Sequence, residues 1–291
     1  MDRIALFGLV MMVLAACSRG GEREATVRDT TAAHLDAMAR EHAGQTPTPN
    51  ASAREPTQPV TAEEVVYGTL DGQPLHGYLA RPAAAVDSLP GLLVIHEWWG
   101  LNDNIRMMTR RLAGEGYIAL AVDLYGGQVA SNANSARELV TTAMRDPERG
   151  MRNLAEAAGY LEREHGVHRL GTIGWCFGGG WSLAAGLELP EQVDAVVMYY
   201  GQPVTDPARL RPLRAPVLGL FGGADQGIPV DTVRRMEQEM KALGKEATIH
   251  VYPGAGHAFA NPSGPTYNER DAEDAWQRTM KFLHFTLQEP G

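Results

Sequence analysis

Cysteine is scarce in this sequence. Two thiols in 291 residues, Cys17 and Cys176, support neither a disulfide framework nor a thiolate metal site, so each has to be read alone. Positive charge is short as well. With 26 Lys and Arg against 35 Asp and Glu, the net of −9 leaves no diffuse positive field to gather a polyanion, which sets nucleic acid aside as a partner. No internal repeat is visible. The one long apolar run, Ile4 to Ala16, holds about 13 residues, against the roughly 20 a helix needs to span a bilayer. What the chain does have is 44% hydrophobic residues and 32 glycines, the glycines in short runs between apolar stretches, as tight strand-to-helix turns require. That profile favours an α/β fold with an ordinary core.

The N-terminal run is of secretion-signal length. It ends in Leu14 Ala15 Ala16 Cys17, which resembles the lipobox of bacterial lipoproteins. The resemblance implies cleavage before Cys17, a lipid on its thiol, and an exported chain anchored to the cell envelope. Ser18, rather than Asp, resembles sorting to the periplasmic side of the outer membrane. A plain signal peptide with Cys17 incidental is the alternative, since Asp2 offsets Arg3. Residues 18 to 60 carry only Val27, Leu35, Met38 and Val60 as large apolar side chains, with Pro47, Pro49, Pro56 and Pro59 clustered at the end, which reads as a polar tether. The expected division is a signal over 1–16, a tether over 17–60 and one folded domain over 61–291.

Val65 to Tyr67, the turn Asp71 Gly72 and Leu75 to Leu79 read as an antiparallel hairpin. Five continuous apolar runs follow: Leu92 to Ile95, Ile118 to Val122, Leu170 to Gly174, Ala195 to Tyr199 and Val217 to Phe221. Such runs suit strands buried on both faces of a parallel sheet, and Ala247 to Tyr252 reads as one strand more. Stripes at helical spacing lie between and after them: Ile105, Met108, Leu112; Met151, Leu154, Ala158, Leu161; Val233, Met236, Met240, Leu243; and Trp276, Met280, Leu283, Leu287. The expected architecture is a doubly wound, mostly parallel sheet of about eight strands, with the hairpin at its N-terminal end.

After the strand ending at Ile173 comes Gly174 Trp175 Cys176 Phe177 Gly178 Gly179 Gly180, then a helix-compatible run from Trp181 to Leu187. A strand that turns this sharply into a helix has no room for bulky residues two before and two after the turn residue. Its thiol is left at a helix N-terminus, where thiolate is favoured. Alone, this pattern fits a buried core Cys equally well. Downstream, Asp225 follows one core strand in Gly222 Gly223 Ala224 Asp225, and His257 follows another in Pro253 Gly254 Ala255 Gly256 His257. The order nucleophile, acid, base resembles that of the α/β-hydrolases. His96 Glu97 Trp98 Trp99 Gly100 Leu101 Asn102 follows the first core strand, where such folds present an oxyanion amide, so the Trp98 and Phe177 N–H groups are the candidate oxyanion hole. Glu97 is out of place there, unless it points elsewhere or shares a proton with the thiol.

Together HEWWGLN, LAGEGY ending at Tyr117, Asp123 Leu124 Tyr125, GWCFGGG, GAD and GAGHAF resemble the dienelactone hydrolase family over about residues 63 to 286. The resemblance implies Cys176 as nucleophile, His257 as base and Asp225 as its orienter. It also implies that Glu97 holds the resting thiol and swings away when substrate arrives. Two departures stand out. Family members bind the substrate carboxylate with two arginines, and Gly127 and Asn261 occupy the matching places. Trp98, Trp99, Trp175 and Trp181 all fall in the site motifs, with Tyr125 and Phe259 nearby, either as packing or as the lining of an apolar pocket.

The sequence therefore leads to a lipid-anchored, monomeric hydrolase of neutral esters or lactones, with no cofactor and no metal. His76, His165, His168, His250 and His284 are too scattered for a zinc site. A thiol-based redox protein and a catalytically silent envelope-binding module are the alternatives.

Overall fold

In the computed structural model, residues 55–84 and 88–288 are described, together with Asp36, Arg40 and Thr46. Cys17, the signal and most of the tether lie outside the described residues. The chain divides into two units, Met1–Ala43 and Gly44–Gly291, and the sheet with its helices belongs to the second.

Each continuous apolar run is a strand with both faces covered. These are β3 (Gly91–Ile95), β4 (Ile118–Val122), β5 (Leu170–Trp175), β6 (Ala195–Tyr199) and β7 (Val217–Gly222), and every residue in them is buried. β8 (Ala247–Tyr252) is half-buried at the sheet edge. The hairpin is longer than its apolar centre indicates: β1 spans Val60–Leu70 and β2 Gln73–Pro82, joined through Asp71 and Gly72. Asp71 and Gly72 both sit at positive φ, 52° and 74°. The described strands form one sheet in the order β1-β2-β4-β3-β5-β6-β7-β8. β1 and β2 are antiparallel to each other, β2 is antiparallel to β4, and the six from β3 to β8 run parallel.

The helices are α1 (Asp103–Gly114), α2 (Ala133–Ala143), α3 (Pro147–His165), α4 (Phe177–Glu188), the single turn α5 (Pro207–Leu210), α6 (Val230–Ala242) and α7 (Glu269–Leu283). Their ends follow capping rules. Asn102 Oδ1 accepts the Ile105 N–H to start α1, and Asp146 with Pro147 starts α3, which ends on left-handed Gly166. α4 begins at Phe177, four residues before its apolar run, because Gly178 to Gly180 are themselves helical. The C-terminal stripe is α-helical to Leu283 and finishes as a π turn over His284–Gln288.

Strand periodicity divides the core in two. Leu93, Ile95, Leu120, Val122, Val196 and Met198 pack against Leu154 and Leu161 of α3, Leu183 of α4 and Met236 of α6. Truncating any one of these buried leucines to alanine is expected to cost about 2–5 kcal/mol. The alternate residues face α1 and α7. Tyr199 Oη and Thr279 Oγ1 share a 2.6 Å hydrogen bond, and the Arg111 guanidinium stacks on Trp276 at 3.7 Å.

The parallel strands end in register. Ile95 pairs with Val122 on one side and Gly174 on the other, Trp175 with Tyr199, and Gly222 with Tyr252. Because β4 and β5 lie on opposite sides of β3, the chain reverses its winding there. Such a switch point opens a crevice at the carboxyl edge.

Candidate active site

Cys176 stands between β5 and α4 with φ 56° and ψ −118°, a backbone conformation that non-glycine residues rarely hold. Its N–H donates to Tyr199 O at 3.0 Å, tying the turn to β6. Two of the surrounding glycines are steric necessities. A Cβ on Gly174 would lie 2.1 Å from Gly178 O, and one on Gly178 would lie 2.2 Å from Ile95 O and 2.6 Å from His96 O. The absence of a Cβ at Gly178 lets the start of α4 approach the end of the strand that leads to Glu97 and Trp98. Phe177 N–H opens α4, where the first amides have no carbonyl within their own helix.

Asp225 and His257 meet behind the thiol. His257 Nδ1–H donates to Asp225 Oδ2 at 2.8 Å, and both side chains are completely buried. The other Asp225 oxygen accepts from Gly227 and Ile228 N–H at 2.8 and 2.9 Å, so the carboxylate is fixed from both ends. Burial works against its charge, but the His257 bond and attraction and the two amides outweigh it and hold Asp225 below the ordinary carboxylate range. Burial likewise works against an imidazolium at His257. The charge of Cys176, a hydrogen bond with its sulfur and the Asp225 pairing outweigh that and push His257 well above its usual range.

Glu97 is buried beside this group. Burial raises its pKa to about 7, and the His257 charge and the hydrogen bond from Asn261 offset only part of the rise. Asn261 Nδ2–H donates to Glu97 Oε2 at 2.5 Å, while Asn261 Oδ1 accepts Ser263 N–H at 2.8 Å. The second bond fixes which end of the amide faces Glu97. The residue read from sequence as a missing arginine is therefore a neutral clamp on Glu97.

Sequence reasoning passed over Tyr200. It follows β6 with φ 37°, is fully buried, and packs edge-on to His257 at 5.1 Å and Phe259 at 5.4 Å. Its position directly after a core parallel strand was the available signal.

All four tryptophans of the site motifs are buried, and Trp175 also lines a cavity with Met108, Arg111 and Tyr199. The Trp181 indole fills the space beside Gly150, where a Cβ would lie 2.4 Å from it. Trp175 lies against Tyr199 at 5.5 Å, and Trp98 and Trp99 form a buried edge-to-face pair at 5.0 Å. Gly127 holds φ 88° while its N–H donates to Asp123 Oδ2, so an arginine there would be strained. Two other arginines in reach by sequence are engaged elsewhere or exposed. Arg106 donates to Glu64 and to Leu101 O, and the Arg270 side chain is 94% exposed. Among the described residues no cluster of three or more His, Cys, Asp or Glu could hold a metal ion, and no helix is long and apolar enough to cross a membrane.

Sheet order, elbow and the acid and base on successive strand ends define an α/β-hydrolase. The sequence pattern described as "Dienelactone hydrolase family" matches residues 75–287. A Salmonella typhimurium protein named "Putative carboxymethylenebutenolidase" is 35% identical over 253 residues, covering 81% of this chain and 93% of its own length. A protein of that name from Methylorubrum extorquens is 37% identical over 236 residues, covering 76% and 80%. The crystal structure titled "Putative Dienelactone Hydrolase" from Klebsiella pneumoniae superposes with a TM-score of 0.70 at 33% identity, covering 78% of this chain and 99% of that one. This chain belongs to the dienelactone hydrolase family and is a hydrolase acting on a small molecule.

Proposed function

We propose that the chain hydrolyses carboxylic esters or lactones through Cys176, His257 and Asp225, by way of a thioester acyl-enzyme. The observation that carries the reading is the buried His257–Asp225 pair set behind a cysteine at a left-handed strand-to-helix turn. His257 Nε2 accepts the thiol proton, and the Cys176 sulfur attacks the carbonyl carbon. The Trp98 and Phe177 N–H groups hold the oxyanion. The tetrahedral adduct then collapses, expelling an alkoxide that takes the proton from His257. Water, deprotonated by His257, cleaves the thioester and frees the acid and the thiol. Glu97 takes the part of a movable carboxyl that holds the resting thiol and gives way to substrate.

The substrate we infer is neutral. Glycine at 127 and asparagine at 261 offer no guanidinium pair, whose charge-assisted bonds are worth roughly 1.5–3 kcal/mol each. The net charge of −9 further disfavours an approaching anion. We also propose that the mature chain is exported and held at the envelope by a lipid on Cys17, a reading supported by Leu14 Ala15 Ala16 Cys17 and the polar stretch behind it.

The test is hydrolysis of a p-nitrophenyl ester panel by the wild type and Cys176→Ala, run beside peroxide consumption. Ester turnover that Cys176→Ala loses by about 10³-fold or more is expected. Full activity in Cys176→Ala, or peroxide consumption without ester turnover, overturns the reading. A dienelactone methyl ester should exceed its free carboxylate in kcat/KM by about 10-fold, the equivalent of about 1.4 kcal/mol, and the reverse preference refutes the neutral substrate.

A further inference from the structure

His96 is the first residue past β3 and has no part in the mechanism above. Its ring is fully buried, lies 6.0 Å from the Phe177 ring at an interplanar angle of 23°, and meets Tyr125 at 4.5 Å. Both nitrogens are engaged. Leu124 N–H donates to Nε2 at 3.2 Å, so Nε2 presents a lone pair and the ring proton sits on Nδ1. Nδ1–H then donates to the Glu97 carbonyl oxygen at 2.6 Å.

That carbonyl belongs to the peptide unit whose N–H is that of Trp98. A trans peptide is planar and stiff, so fixing its oxygen fixes the direction in which its N–H points. A hydrogen bond accepted at the carbonyl also polarises the unit and strengthens the N–H as a donor. The same ring stacks on Phe177, which supplies the second amide, and the start of α4 passes so near that a Cβ on Gly178 would lie 2.6 Å from the His96 carbonyl oxygen.

We propose that His96 is a positioning residue for the oxyanion site. It is a neutral imidazole that aims the Trp98 N–H through the Glu97 carbonyl and holds the Trp98 and Phe177 amides at a fixed separation. The inference rests on the assignment of those two amides and of Cys176 under Proposed function. Removing one oxyanion donor costs roughly 10²–10³ in turnover in other enzymes, and displacing a reacting group by an ångström costs about 10². His96→Phe keeps the stack and removes both hydrogen bonds. It should therefore lower kcat for p-nitrophenyl butyrate by about 10²-fold with KM nearly unchanged.

The discriminating measurement is the rate of Cys176 alkylation by iodoacetamide, located by mass spectrometry. In that reaction the sulfur forms a bond to a saturated carbon and iodide leaves, so no oxyanion develops and the rate reports only thiolate and access. The expected pattern for His96→Phe is alkylation within about 3-fold of wild type beside the about 10²-fold loss of ester turnover. His96→Gln retains one donor and one acceptor. It should show the same split at smaller amplitude, which keeps the test available if His96→Phe does not fold. Equal loss of alkylation and turnover, or unchanged turnover in both variants, overturns the proposal. Cys176→Ala is carried in the same series. If it hydrolyses the ester like wild type, the underlying reading has failed, whereas an inactive Cys176→Ala beside fully active His96 variants sinks the His96 proposal alone.

Discussion

Replacing Glu97 by Gln removes one titrating proton from the buried site and leaves the side chain's size and its acceptor for Asn261 in place. The ordinary value for the carboxyl is 4.5, and burial lifts it to about 7 in the folded protein. Below pH 4.5 both the folded and the unfolded chain hold the proton, so wild type and Glu97→Gln should be similarly stable there. Between pH 4.5 and about 7 the unfolded chain has released the proton and the folded one has not. Unfolding is therefore increasingly favoured as pH rises, and above about pH 7 the full penalty stands. Each tenfold change in proton affinity is worth about 1.4 kcal/mol, so the rise corresponds to about 3 kcal/mol. Urea unfolding of the two proteins at pH 5 and pH 8.5 reads it directly. Part of the penalty is already present at pH 5, so the stability difference between Glu97→Gln and wild type should shift in favour of the variant by about 2–3 kcal/mol over that interval. Titrating groups that do not interact with Glu97 are common to both proteins and cancel. Parallel pH dependences would show that Glu97 ionises at an ordinary value and that its surroundings do not oppose its charge.

Asp225→Asn should retain the turn bonds from Gly227 and Ile228 while presenting an N–H to His257 Nδ1. The imidazole is then forced into the tautomer that cannot accept the thiol proton. Ester turnover should fall by about 10⁴, the value known for the equivalent change in a serine triad, with an unchanged circular dichroism spectrum. Gly178→Ala would place a methyl 2.2 Å from Ile95 O, a backbone atom that cannot yield, so a lower Tm and loss of turnover are expected, and wild-type behaviour in both would contradict the close approach. Metabolic palmitate labelling should mark the wild type and not Cys17→Ser, and equal labelling of the two removes the lipid anchor.

The central strands were legible because a strand covered on both faces can carry only apolar residues, as Leu92 to Ile95 and Ile118 to Val122 do. The hairpin's ends were not, because the adjacent Glu63 and Glu64 break the alternation and, with Thr61 and Gln73, mimic loop sequence. α2 escaped because Ala133, Ala136 and Val140 make too thin a stripe; its start is marked instead by the reciprocal Asn132–Ser135 cap. That Cys176, Asp225 and His257 each follow a strand at the same sheet edge could be read from chain order alone. Asn261 could be read only as something missing. Its hydrogen bond to Glu97 crosses 164 positions of chain, a distance no local pattern records. Tyr200 was hidden by its apolar company, since Met198 and Tyr199 make it look like the last residue of a buried strand.

The clamp at position 261 ties two properties of the enzyme to one side chain. An arginine there could offer an anchor to an anionic substrate, but its guanidinium would also face Glu97, where Asn261 now donates at 2.5 Å. A fixed cation at that distance would draw the carboxyl down from about 7 and keep it charged through the neutral range. A lineage that gained an anion-binding arginine at this position would thereby alter its acidity response in the same step. Selection acting on either trait moves both, and separating them would take a second substitution, at Glu97 or Tyr200, to restore the balance.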